Sequence, residues 1–204
     1  MTAEEIRRME ERVAQVRAEM ERACRAAGRA PGEVLLCAAS KTQNSETVRA
    51  AAALDIDLFG ENRVQELCEK YAAGAYSGKP LHFIGHLQTN KVRQVVGRAC
   101  MIESVGSHRL LECVAAKLKQ GIRQDILVEI NIGAEASKAA SRPKSCPASG
   151  MRPCFALRVR GLMSIRLLRM RRARAAPTCT DARPVRAAQA AQGGNGAWST
   201  FPWA

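Results

Sequence analysis

Between residues 34 and 132 the chain changes its hydrophobic period again and again. Short apolar runs at 34–40, 57–60, 81–85, 101–105 and 126–132 read as strands, the last rich in β-branched residues. Amphipathic segments at 45–54, 63–73, 90–98 and 108–120 read as the helices between them. A strand–helix–strand unit returns the chain to the edge it left, so successive strands pair in parallel. Parallel strands are covered on both faces, which accounts for runs that are apolar throughout. An open doubly wound sheet and a closed barrel both satisfy this pattern.

A helix precedes the alternation. Thr2 and Glu5 have the spacing of a capping box, and Ile6, Met9, Val13, Val16 and Met20 recur at helical intervals. Gly28 and Pro31-Gly32 end it. Met9 and Met20 read as core residues.

In such folds chemistry gathers where strands run out into loops. Lys41 stands at the first of these ends, in Val34-Leu35-Leu36-Cys37-Ala38-Ala39-Ser40-Lys41-Thr42. Burial disfavours an ammonium, so a lysine leaving an apolar strand is a candidate neutral amine for a Schiff base. By itself it reads better as an ordinary surface lysine capping a strand. Asn62 follows the second strand and is placed either to reach a bound ligand or to satisfy loop backbone groups. His82 and His86 bracket the third strand; one of them lines the pocket, or both are satisfied structurally. Gln88 and Asn90 are candidate caps for the next helix, Asn90 the better one. His108 reads as a helix-start residue. Met163 and Ser164 lie at the end of a sixth strand read at 159–165. Ser40 near histidines lacks the G-x-S-x-G elbow and the placed acid of a hydrolase.

The segments "AASKT" (38–42), "FGEN" (59–62) and "HFIGHLQTNK" (82–91), in that order, resemble the YggS/PROSC family of pyridoxal phosphate homeostasis proteins. The resemblance runs from the first helix to about Lys138 and returns at 156–165. It implies a (β/α)8 TIM-type barrel like the N-terminal domain of alanine racemase. It also implies pyridoxal 5'-phosphate held as a Schiff base on Lys41, with Asn62, His82, Met163 and Ser164 as further candidate contacts. The expected role is cofactor buffering and delivery to PLP-dependent apoenzymes, without catalytic turnover, by a cytoplasmic monomer.

Composition agrees with a globular chain: 47% of the 204 residues are apolar, and no apolar run approaches the ~18 residues of a membrane span. The N-terminus is charged from Glu4 onward and lacks a signal core. Eight scattered cysteines without CxxC pairs read as reduced and mostly buried, with no metal site.

Charge is the anomaly. The formal net charge is +13, of which residues 1–138 carry +2 and residues 139–204 carry +11, with Asp181 the only acid in that second part. The strand–helix alternation stops at the same point. We therefore read residues 1–165 as the barrel domain, 139–155 as an aberrant insert, and 166–204 as a basic, disordered tail. The resemblance implies two further strand–helix units bearing the phosphate cup, so the expected barrel is incomplete, with about six strands. One permitted coding of residues 198–204, shifted by two nucleotides, yields Glu-His-Leu-Ser-Met-Gly, the start of the Leu-Ser-Met-Gly-Met-Ser segment that the resemblance implies for the phosphate cup. A frame change after about residue 138 and another after about residue 165 account for the break. Sequencing the gene across this stretch tests it: the motif absent from every frame sinks the idea.

Two other readings follow from the same tail. RLLRMRRARAA (166–176) would attract nucleic acid through counterion release, although no aromatic-interleaved platform accompanies it. The other is a non-functional frameshifted product.

Overall fold

The computed structural model describes residues 1–118, 123–130 and 157–164. The expected insert at 139–155 and tail at 166–204 lie outside the described residues, as does the arginine cluster at 166–176.

Helix α1 (Ala3–Ala26) begins with the expected capping box. The Glu5 amide donates to Thr2 Oγ1 at 3.2 Å, and the Thr2 amide donates to Glu5 Oε2 at 2.7 Å. Such a cap contributes about 1 kcal/mol. Gly28, at φ +67°, takes the left-handed position just past the helix end. The apolar stripe is covered only in part: Met9 and Val13 pack on the core, whereas Val16 is 42% exposed. Arg17 fastens the helix to the wall through Asp55 at 3.0 Å and Asp57 at 2.7 Å.

The wall follows in regular units: β1 (Cys37–Ala39), α2 (Ser45–Ala52), β2 (Leu58–Glu61), α3 (Val64–Ala72), β3 (Leu81–Phe83), α4 (Val92–Val95), β4 (Met101–Val105), α5 (His108–Lys117), β5 (Gln124–Glu129) and β6 (Leu157–Met163). All pairs are parallel, and the strand order is β1-β2-β3-β4-β5-β6. Each crossover therefore moves one strand along in the same direction. A doubly wound sheet must reverse that order at its switch point; this one never does. The singly wound order is that of a (β/α) barrel wall. Six strands are present among the described residues.

The core lies between the strands' outer face and the helices. Phe83, Ile102, Ile126 and Val159 fall in register across β3 to β6. Phe59, Phe83, Ile102 and Ile126 are at most 1% exposed, packed with Val48, Leu67, Val92, Val95 and Val114 from the helices. Alternation then turns Gly60, His82, Met101 and Glu103 toward the barrel interior.

Several expected boundaries differ. The first strand begins at Cys37, because the Leu36 amide is taken by the Asp57 carboxylate at 2.5 Å instead of a neighbouring strand. The fourth helix shrinks to one α-turn, preceded by the 3-10 turn Thr89–Lys91 and stopped by Gly97 at φ +80°. Asn90 lies inside that 3-10 turn, and neither it nor Gln88 makes a side-chain cap. Of five free cysteines among the described residues only Cys24 is fully buried; Cys37 and Cys100 are exposed, contrary to expectation. Cys37 is the first residue of β1 and Cys100 immediately precedes β4, so both lie at the amino ends of their strands. No helix among the described residues is long and apolar enough to cross a membrane.

Candidate functional site

Parallel strands deliver their carboxyl ends to one rim. Lys41 follows β1, Asn62 follows β2, His86 follows β3, Ser107 follows β4, and Ser164 follows β6. Lys41 is exposed, and among the described residues no hydrogen bond or ion pair engages its ammonium. It sits in a tight turn, with the Gln43 amide donating to Ser40 O at 3.1 Å and Thr42 at φ +64°.

Asn62 has a buried Oδ1 with no hydrogen-bond partner. That atom does not satisfy loop backbone, and it leaves an acceptor at the rim of the kind a ligand can fill. Two glycines bring the strand ends together here. A Cβ on Gly85 would lie 2.1 Å from Asn62 O, and one on Gly60 would lie 2.8 Å from Ile84 Cδ1. Real Cβ contacts are never that short, so neither position accepts a side chain without movement.

His82 sits one layer below the rim, in register with Gly60 and Met101. Its Nδ1 is 2.6 Å from Glu103 Oε1. Burial disfavours the charged ring, but the Cys100 sulfur and the Glu103 carboxylate more than offset this and push the imidazole up to about 9. His82 is thus a paired interior histidine. The Cys37 thiol faces the same interior; although the residue as a whole is exposed, partial desolvation of its sulfur against the wall, then the Glu103 charge, pushes it up to about 11. His86 is exposed and lines a separate cavity of about 280 Å³ with Gln88, Thr89, Ser104, Ser107 and Arg109.

Met163 ends β6, half-buried and in register with Glu129, and Ser164 is exposed just beyond it. Lower in the same strand Arg158 pairs with Asp125 at 2.5 Å. Neither Met163 nor Ser164 has a hydrogen bond to Lys41 or Asn62 among the described residues.

Sequence reasoning missed the strongest polar feature under Lys41. Lys70 and Glu61, with side chains 4% and 0% exposed, form a buried ion pair at 2.7 Å. Ser40 Oγ donates to the same Glu61 oxygen at 2.7 Å, and Tyr76 OH donates to it at 3.2 Å. Burial, followed by the Glu61 charge, pushes the Tyr76 phenol well up, so it stays a donor. Glu66 extends the network to the surface; the Thr42 amide, chiefly, holds its carboxyl below the usual range. The visible signal was the i,i+4 spacing of Glu66 and Lys70, plus an acid closing an otherwise apolar strand.

No protein-family model matches the chain. Alanine racemase of Clostridium difficile superposes with a TM-score of 0.50 at 11% identity, over 64% of this chain and 35% of that one. At that identity the likeness is one of fold, and it defines the class: an alanine racemase-like α/β barrel. PipY of Synechococcus elongatus, solved with PLP bound, superposes with a TM-score of 0.57 at 29% identity, over 73% of this chain and 71% of that one. A pyridoxal phosphate homeostasis protein of Aquifex aeolicus is 37% identical over 136 residues, 66% of this chain and 60% of that protein. The protein of the same name from Pseudomonas aeruginosa is 35% identical over 158 residues, 76% of this chain and 69% of that protein. The chain belongs to the pyridoxal phosphate homeostasis protein family. It spans about three fifths of the Aquifex relative's length.

Proposed function

We propose that this chain binds pyridoxal 5'-phosphate and serves its homeostasis, with Lys41 Nζ joined to the cofactor's aldehyde carbon as a Schiff base. The observation that carries this reading is the pairing, on one rim, of Lys41 with the unpartnered buried Oδ1 of Asn62. A relative carrying PLP on the same fold supports it. When bound, the cofactor supplies an electrophilic aldehyde and an electron-withdrawing ring. The chain supplies the rest. Lys41 would provide the amine that holds the cofactor through its aldehyde. Asn62 offers an acceptor to the bound group, and Gly85 keeps β2 and β3 close enough to place it. His82, one layer below, holds positive charge beneath the site. Met163 and Ser164 complete the rim at β6.

The role is cofactor storage and delivery to PLP-dependent apoenzymes, by a cytoplasmic monomer without turnover of its own. Residues 1–165 form the binding domain and 166–204 a basic tail. Absorbance spectra of the purified chain mixed with PLP test the reading. A violet-edge band should appear, vanish on borohydride reduction, and be absent from Lys41→Ala. A band retained in Lys41→Ala assigns the cofactor to another lysine.

A further inference from the structure

The turn that carries Lys41 is held from below on both sides. Before Lys41, the Ser40 carbonyl accepts the Gln43 amide at 3.1 Å and Lys70 Nζ at 2.7 Å. After it, the Thr42 amide donates to Glu66 Oε2 at 2.8 Å. Lys70 connects the two sides, because its ammonium also donates to Glu61 Oε1 at 2.7 Å and to that same Glu66 oxygen at 3.3 Å. Three donors thus meet three acceptors, the full capacity of an ammonium group. Glu61 Oε1 in turn collects Ser40 Oγ, Lys70 Nζ and Tyr76 OH.

This turn needs holding. Thr42 occupies its third position at φ +64°, where a glycine is the usual residue and a β-branched side chain is an outlier. Such a conformation persists only where its surroundings over-determine it. A buried ion pair is an uneconomical way to add stability, since apolar residues of similar volume often do as well. What it does supply is direction: fixed donors and acceptors aimed at two particular backbone groups, those flanking Lys41.

We infer that Lys70, Glu61 and Glu66 are positioning residues for Lys41, a buried brace that fixes turn 40–43 and sets where its amine stands. This rests on the reading of Lys41 as the cofactor-linked residue. The brace touches no cofactor. It acts through the backbone on either side of the reacting lysine.

Four variants of the full chain test it: Glu66→Ala, Glu66→Gln, Lys70→Met, and Glu61→Gln combined with Lys70→Met. Each is measured for thermal unfolding, for hydrogen exchange at the Thr42 amide, and for the rate at which PLP is trapped on the Lys41 peptide by borohydride. Glu66→Ala should fold, lose Thr42 amide protection, and trap PLP at least tenfold more slowly. Glu66→Gln keeps an acceptor for that amide and should restore both. Lys70→Met strands a buried carboxylate and should melt lower. The paired variant should recover the melting temperature but not the trapping rate, a separation that a merely structural pair would not produce. Wild-type trapping at Lys41 in the paired variant, or in Glu66→Ala, overturns the inference. Should the wild type itself trap no PLP at Lys41, the cofactor reading fails separately, and hydrogen exchange still decides the brace. Equal Thr42 exchange in wild type and Glu66→Ala would refute it.

Discussion

His82 Nδ1 and Glu103 Oε1 stand 2.6 Å apart across β3 and β4, on the interior side of the wall. The folded-state imidazole, at about 9, lies above its ordinary 6.5. The pair's stabilisation is therefore complete below about pH 6.5 and fades as pH rises through about 9. The melting-temperature gap between wild type and His82→Asn should be widest near pH 6 and close toward pH 10, by on the order of 1 kcal/mol after solvent screening. A gap that widens with pH has the opposite sign and rejects the pairing.

Gly85→Ala should be among the most destabilising single-methyl changes in this chain. The added Cβ meets backbone, Asn62 O at 2.1 Å and Asn62 Cα at 2.6 Å, so no side chain can turn away to make room. Overpacking of this kind costs about 1–3 kcal/mol or more. Urea denaturation should show the loss, with Gly32→Ala, where nothing lies within 4 Å, as the neutral control. Equal midpoints for the two would mean that the strand ends are not packed this closely.

Asn62→Ala should leave folding nearly unchanged, because its Oδ1 has no internal partner to lose. PLP retention on dialysis should nonetheless fall about tenfold, the size of one lost hydrogen bond in a binding site. Unchanged retention together with a lower melting temperature would return Asn62 to a purely structural role.

Lys70→Met alone should cost about 3–5 kcal/mol, because the Glu61 carboxylate, 0% exposed, loses its counter-charge. Adding Glu61→Gln should recover most of that loss. Chemical denaturation of both variants measures it, and similar losses in the single and the double would show that the pair is not coupled.

Much of the architecture was written locally. Thr2 and Glu5 lie three residues apart, and the capping box they form needs no distant partner. The 101–105 strand was legible because strand residues reveal themselves by composition within a few positions. Lys41 could be assigned to a strand end for the same reason. Boundaries were less legible where a tertiary partner intervened. Asp57 reaches back to the Leu36 amide and shortens β1, and nothing near residue 36 announces that.

The sequence by itself determined the alternation of strands and helices, their parallel pairing, and the placement of Lys41 and Asn62 at strand ends. Those properties follow from periodicity and turn chemistry, which act over a handful of residues. Only the tertiary structure decided that the strands run in unbroken order around a barrel wall, since strand order is a long-range relation that local pattern does not encode. Only it decided that Lys70 would brace the turn at Ser40, thirty residues away, or that His82 would find Glu103, twenty-one residues on. Such contacts arise because burial forces charged groups to seek partners, and which partner is within reach depends on how the strands and helices are arranged in space.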